Sequence, residues 1–440
     1  MKVRAVLICL LILLQYDSPA QPRREDIYSD FVLYKKRQLL VKDLHENVVG
    51  KAFLAPLDSN TEDKYEAACR AIVQFMLDND TTQLGITQMF VQYDSLHYDT
   101  KRAMLETVYG VYPDQYIQSI QLLLAKETNP LLFAIAAAYS LRYDTSKVNT
   151  GTIKKRIREQ FPGYGNITVL VELDKYLNTI KYYKAPATND LIELFRYQQV
   201  VKKKVIYSFQ RHNRDYAGLA IVQNADGRFM RYSDGRLMVF EQLARSASGL
   251  PYFIPDGNTP QGIYSIQGTA VTYNKLIGPT PNLQLVMPYE RKWTTYFHLT
   301  DSAWNSTNDA LWSYLQLLPP SMRTIPSLTE TFYAGKLGRN SIIAHGTTID
   351  PEYFKNKPWY PLTPTMGCLC AKELWNVSNG RLLESHQFNL VNAFTATAGN
   401  RGYLYVIDID DQKKAVSKTE VEKLVKEFET KQIQASGGKL

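Results

Sequence analysis

Two short motifs near the end of the chain combine residue types that can perform nucleophilic chemistry. His345-Gly346 is followed by Gly367-Cys368, and a second cysteine, Cys370, lies two positions beyond. A free thiol, with a pKa of about 8.5, is mostly protonated at neutral pH, and a nearby imidazole can accept its proton. Gly367 would allow a tight turn that exposes the thiol and aims amide N–H groups at a developing oxyanion. The pattern favours a cysteine nucleophile with a histidine base.

The cysteines leave several alternatives open. Cys69 lies on the apolar face of a predicted helix and is expected to be an inert core residue. A disulfide between Cys368 and Cys370 would be strained, and a metal site would need ligands that no nearby spacing supplies, so we expect neither metal nor cofactor. Cys370 either packs in the core or reversibly caps Cys368. His386 is the alternative base to His345.

The N-terminus has the organisation of a secretory signal peptide. Residues 1–20 contain Lys2 and Arg4, then an apolar run from Ala5 to Leu14, and end in a small residue, Ala20. No later segment is long and apolar enough to predict an integral membrane helix. The formal net charge of +8 is compatible with an anionic polymer or an envelope surface, and we expect no nucleic-acid partner.

The apolar pattern divides the rest of the chain. From residue 21 to 202 apolar residues recur at spacings of three and four, which predicts a helical domain. From 203 to 410 the pattern changes to short alternating runs with Asp226-Gly227 and Asp234-Gly235 as hairpin turns, which predicts a mainly β domain. Residues 411–440 predict a short helix, capped by Ser417 or Thr419, and a tail. The fold class is therefore α+β and multidomain.

Three motifs in the β half occur in the order found in one enzyme family. These motifs are the stretches DGNTPQGIYSIQG, IIAHGTT and TPTMGCL. On their basis, residues 203–410 resemble the L,D-transpeptidase (YkuD-like) catalytic domain. The resemblance implies that Cys368 is the nucleophile, that His345 is its base and that the Gly346 carbonyl orients the imidazole. It also implies that Thr259-Pro260 pins a strand turn near the site.

The sequence departs from the family pattern at several positions. Met366 replaces a common histidine, and Cys370 replaces the arginine that normally helps to recognise the substrate carboxylate, a role for which Arg339 is one candidate. The longer interval between the two motifs suggests that Trp359 and Tyr360 form part of the cleft wall. With Thr365 and Met366 beside the cysteine, these residues are the expected substrate contacts. Residues 300–340 are expected to form a lid.

The resemblance implies an enzyme of the bacterial periplasm or cell envelope. It would form a thioester between Cys368 and a peptidoglycan stem peptide, release D-alanine and transfer the peptide to an amine, which cross-links or remodels the wall. With water as acceptor, the same site would act as an L,D-carboxypeptidase. The alternative from a different class is a non-catalytic wall-binding or scaffold protein, with the helical half as the surface for an envelope protein partner.

Overall fold

The computed structural model describes residues 23–143, 150–180, 183–305, 307 and 309–435. The predicted signal peptide, residues 1–20, lies outside these ranges, as does the end of the C-terminal tail. A helical N-terminal region precedes a β-rich region, which agrees with the α+β class expected from the sequence.

The N-terminal region consists of helices that follow the spacing of apolar residues. They are α1 (Tyr34–Asp43), α2 (Lys51–Leu54), α3 (Glu62–Phe75), α4 (Asp80–Val91), α5 (Tyr98–Val111), α6 (Ile117–Lys126), α7 (Pro130–Tyr143), α8 (Thr150–Gln160), α9 (Thr168–Thr179) and α10 (Thr188–Val201). Asn129 caps α7 by accepting hydrogen bonds from the amides of Leu131 and Leu132, at 2.9 and 3.2 Å. Cys69 is fully buried in α3 against Met89, as predicted for a core residue.

The β-rich region is a closed barrel with additional helices. The strands are β1 (Lys204–Arg211), β2 (Gly218–Gln223), β3 (Phe240–Leu243), β4 (Gly262–Ala270), β5 (Asn282–Val286), β6 (Ile343–His345), β7 (Leu369–Ala371), β8 (Glu373–Trp375), β9 (Leu382–Ser385) and β10 (Gly402–Asp410). The barrel order is β1-β10-β4-β5-β6-β7-β3-β2, and β8 and β9 form a separate pair. The remaining helices are α11 (Trp293–Tyr296), α12 (Ala310–Leu315), α13 (Glu330–Lys336), α14 (His386–Thr395) and α15 (Lys418–Ala435).

Local sequence signals explain several boundaries in this region. Gly227 and Gly235 adopt φ angles of 88° and 84° in the two predicted hairpin turns, a conformation that glycine adopts without steric cost. Ser417 accepts a hydrogen bond from the Glu420 amide at 3.3 Å and so begins α15, as predicted. The turn and cap residues therefore act as the sequence indicates.

The helical and β-rich regions share apolar cores. Leu250, Phe253 and Ile254, which lie between β3 and β4, are buried in the same cluster as the helices from α3 to α9. In the opposite direction, α10 contributes Phe195 to a second cluster that contains residues of β1, β10 and α15. The segment around residue 203 is thus a change of secondary structure within continuous packing.

Residues 300–340 and the segment between the two motifs are both packed into these cores. Tyr314 and Phe332, from the 300–340 segment that was expected to form a lid, are buried beside the barrel. Phe354 and Leu362, from the segment between the two motifs, are buried against the N-terminal helices. No helix in the described part of the chain is long and apolar enough to cross a membrane.

Candidate active site

Two adjacent parallel strands bring the His-Gly and Gly-Cys motifs together. β6 ends at His345, and β7 begins just after Cys368. Ala344 is paired with Leu369, and His345 with Cys370. The Cys368 Sγ lies 3.4 Å from the amide nitrogen of Ile343, two residues before His345. Residues that are far apart in sequence are therefore neighbours across one strand pair.

Threonine side chains fix the turn that presents the Cys368 thiol. Gly367 has a φ of 107°, which an L-residue rarely adopts. Its amide donates to Thr365 Oγ1 at 3.1 Å, and that hydroxyl donates to the Cys368 carbonyl at 2.9 Å. Thr259 Oγ1 donates to the Gly367 carbonyl at 2.9 Å. Thr365 was predicted to contact the substrate, but in the structure its hydroxyl stabilises the turn. Thr259 holds the chain close to the cysteine turn, which agrees with the resemblance.

The His345 imidazole is held in one tautomer. Its Nδ1 lies 2.5 Å from the Gly346 carbonyl oxygen, which can only accept, so Nδ1 carries the proton and Nε2 has the free lone pair. The residue is only 4% exposed, and burial lowers the pKa of His345 to about 4. At neutral pH this side chain is an uncharged base.

The Cys368 thiol is also neutral at neutral pH. Burial raises the pKa of Cys368 to about 11, although the Ile343 amide and the Arg339 guanidinium act in the opposite direction. The Sγ makes a long contact of 3.7 Å to the Ser341 carbonyl oxygen. Among the described residues, no hydrogen bond joins Cys368 to His345. The pair is therefore a thiol and a neutral imidazole, and not a preformed ion pair.

Arg339 lies behind the cysteine turn and is largely buried. It is 6% exposed, and its guanidinium donates to the carbonyls of Tyr252, Gly257 and Asn258, the last two at 2.8 and 2.9 Å. Buried charge-assisted bonds of this kind fix geometry strongly. Arg339 holds the 252–258 segment against Gly367, a role different from the expected recognition of substrate.

The three other residues expected to contact the substrate differ in their exposure to solvent. Trp359 is 3% exposed and lies under the guanidinium of Arg245, 3.8 Å from the ring centroid, so its indole belongs to the core. Tyr360 and Met366 remain exposed, and the Tyr360 hydroxyl donates to Glu352 at 2.9 Å. Only these two of the three have surface that a substrate could contact.

The alternative base, His386, is used in packing. Its Nδ1 accepts a hydrogen bond from the Glu241 amide at 2.6 Å, and its Nε2 lies 3.3 Å from a Glu384 carboxylate oxygen. Both ring nitrogens thus have partners on neighbouring strands. His345, whose Nε2 has a free lone pair, is therefore the better candidate for the base.

A buried carboxyl that the sequence reasoning missed supports the His-Gly turn. Glu373 accepts from the Thr347 amide at 2.9 Å and from the Ser385 hydroxyl at 2.6 Å. A Cβ at Gly346 would lie within 2.1 to 2.3 Å of the Glu373 carboxyl atoms, so glycine is needed there. Burial raises the pKa of Glu373 to about 7. Glu373 follows Lys372 in the sequence, a pattern typical of an exposed position, so no local signal indicated its burial.

Comparisons of the chain with protein-family models, curated proteins and solved structures found no match. Within the described residues, no cluster of three or more His, Cys, Asp or Glu side chains is arranged to hold a metal ion. Cys69, Cys368 and Cys370 are free thiols, and Cys370 is fully buried beside Thr363, 3.5 Å from its hydroxyl.

Proposed function

We propose that this chain is an exported acyltransferase of the L,D-transpeptidase type that acts on peptidoglycan stem peptides. One observation carries the proposal. The buried imidazole of His345, with Nδ1 fixed by the Gly346 carbonyl, lies one strand away from the glycine turn that presents Cys368. A neutral base on the strand next to a partly exposed thiol can support nucleophilic cysteine chemistry once the two groups come within hydrogen-bond reach.

The first step is acylation of the thiol. The Cys368 proton moves to His345 Nε2 as the sulfur attacks the carbonyl carbon of the third stem residue, so a C–S bond forms. The C–N bond to D-alanine then breaks, and the imidazolium returns the proton to the departing amine. The pKa values of about 11 and about 4 make general-base removal of the proton necessary, because neither group is charged at neutral pH.

The resting thiol must turn towards the imidazole for this step. Its contacts in the structure are with the Ile343 amide and the Ser341 carbonyl, both at the edge of β6. Catalytic hydrogen bonds are commonly long in substrate-free enzymes and shorten when substrate binds. A substrate carbonyl that accepts a hydrogen bond from the amide of Ile343 or of the cysteine turn would free the Cys368 sulfur to rotate.

The second step resolves the thioester with an amine from another stem peptide. His345 Nε2 accepts a proton from the attacking amine, and the C–S bond breaks as the new C–N bond forms. Water in place of the amine gives the L,D-carboxypeptidase activity from the same residues. Exposed Met366 and Tyr360 are the side chains available at the surface for substrate contact.

A second candidate function is a wall-binding scaffold without turnover, which uses the helical half to bind an envelope protein. It is favoured by one specific observation: the Cys368 sulfur is engaged by backbone groups, with the pKa of the thiol raised and not lowered. In that case Cys368 would be a structural thiol.

Product analysis distinguishes the two functions. Purified protein is incubated with disaccharide tetrapeptides, and the products are separated and identified by mass spectrometry. The acyltransferase produces dimers or shortened tripeptides in the wild type and in His386→Ala, and neither in Cys368→Ser or His345→Gln. Unchanged muropeptides with the folded wild type would favour the scaffold.

A further inference from the structure

A cavity of about 570 Å³ lies between the helical and β-rich regions, apart from the thiol. Its walls come from the end of α9, the beginning of α13 and the segment from Gly249 to Gln261. The described lining residues include neither Cys368 nor His345. Thr259 lies in the wall and also bonds the Gly367 carbonyl, so the cavity is adjacent to the cysteine turn.

Several tyrosines contribute to the walls of this cavity. Tyr109, Tyr176, Tyr183, Tyr252 and Tyr333 all line it. The hydroxyls of Tyr183 and Tyr252 are already bonded, to the Asp408 carbonyl at 2.9 Å and to Glu172 at 2.6 Å, and Lys175 Nζ lies 3.6 Å from the centroid of the Tyr333 ring. The rings nevertheless give the walls apolar surface for packing. Tyr183 is stacked on His212 with 3.8 Å between the ring centroids, so part of this wall is held in a fixed orientation.

The charged groups of the walls are already satisfied by one another. Lys175 pairs with Glu172 at 2.7 Å, and Arg214 pairs with Asp408, whose other oxygen lies 3.3 Å from His212 Nδ1. Such pairs offer little to a ligand ion, which would have to compete with a bonded partner.

Two further ionisable residues line the cavity, Glu330 and Lys184. Glu330 accepts from the Gln261 amide nitrogen and side chain, at 2.8 and 3.2 Å, and burial raises the pKa of Glu330 to about 8. It is therefore largely a neutral carboxylic acid at pH 7. Lys184 is exposed to solvent at the mouth. The interior thus combines aromatic faces with uncharged hydrogen-bonding groups.

We propose that this cavity binds a neutral saccharide of one or two rings. Ser327 Oγ is a buried polar atom of the cavity wall that has no hydrogen-bond partner among the described residues, so a sugar hydroxyl can bond to it while the C–H faces of the sugar ring pack on tyrosines. The volume is within the range of small-ligand pockets. The inference goes beyond the proposed acyl transfer and does not require that Cys368 be active.

Binding is tested by isothermal titration calorimetry of the full mature chain with N,N′-diacetylchitobiose. A zwitterionic dipeptide, Ala-Ala, serves as the charged competitor. Thr179→Trp places a large ring at the exposed mouth of the cavity. Asn178→Trp is the matched control, because Asn178 is also exposed on α9 but does not line the cavity. Thermal unfolding verifies that both variants remain folded.

We expect saturable binding of the disaccharide to wild type and to Asn178→Trp, and at least tenfold weaker binding to Thr179→Trp. Cys368→Ala should bind as wild type does, which separates this inference from the proposed acyl transfer. Absence of disaccharide binding, equal binding by the two tryptophan variants, or tighter binding of Ala-Ala would each overturn the proposal.

Discussion

Replacing Gly367 by alanine tests the account of the cysteine turn quantitatively. The φ of 107° lies outside the left-handed region, at about +50 to +70°, that L-residues sometimes occupy, and strain of this kind costs about 1–3 kcal/mol. The new Cβ would also lie 2.4 Å from Arg339 Nη2 and 2.8 Å from the Gly257 carbonyl oxygen. Arg339 would have to leave Gly257, and a hydrogen bond to a charged group contributes about 1.5–3 kcal/mol. We expect a total loss of free energy of unfolding of about 2.5–6 kcal/mol.

Gly338→Ala is the matched control for this substitution. Gly338 has a φ of 87°, yet a Cβ there would meet nothing within 4 Å, so only the strain of about 1–3 kcal/mol remains. The free energies of unfolding are measured by urea titration followed by tryptophan fluorescence. Equal losses in the two variants would refute the claim that Arg339 is packed against Gly367.

Three further predictions concern protonation. Because burial raises the pKa of Cys368 to about 11, iodoacetamide labelling of Cys368, located by peptide mass spectrometry, should accelerate about tenfold per pH unit from 7 to 10, and a plateau below pH 8 would contradict this. Burial lowers the pKa of His345 from 6.5 to about 4, so its contribution to stability is present above pH 6.5 and lost as pH falls to 4, by about 3 kcal/mol. Urea titrations should show that His345→Gln loses less free energy of unfolding than wild type between pH 6.5 and 4. Equal losses in the two proteins would refute the lowered pKa of His345. Burial raises the pKa of Glu373 to about 7, so its contribution is present below pH 4.5 and lost as pH rises through 7. Glu373→Gln should therefore lose less stability than wild type between pH 5 and 9 in the same assay. An equal or larger loss would refute the raised pKa of Glu373.

The secondary structure was largely predictable because it depends on local signals. The cap at Asn129, the turns at Gly227 and Gly235, and the cap at Ser417 are each decided by residues a few positions apart. The closure of the barrel was not predictable in this way. The parallel pairing of β1 with β10 joins residues about two hundred positions apart, and no local pattern specifies such a contact.

The candidate site was predictable in its motifs but not in its surroundings. The positions of His345 and Cys368 follow from two dipeptides, whereas Trp359 was expected at a cleft and is instead buried beneath Arg245. An aromatic residue in a Pro-rich segment fits either location, and only the packing of the helical half decides between them. The burial of Arg339 among backbone carbonyls is likewise a property of the three-dimensional fold.

Intact-protein mass spectrometry after brief exposure to a stem tetrapeptide tests directly whether Cys368 forms a thioester. We predict one covalent adduct with the mass of the tetrapeptide less D-alanine, located at Cys368 by peptide mapping, absent in Cys368→Ala and strongly reduced in His345→Gln. No adduct on the folded wild type, or an adduct that persists in Cys368→Ala, would contradict it.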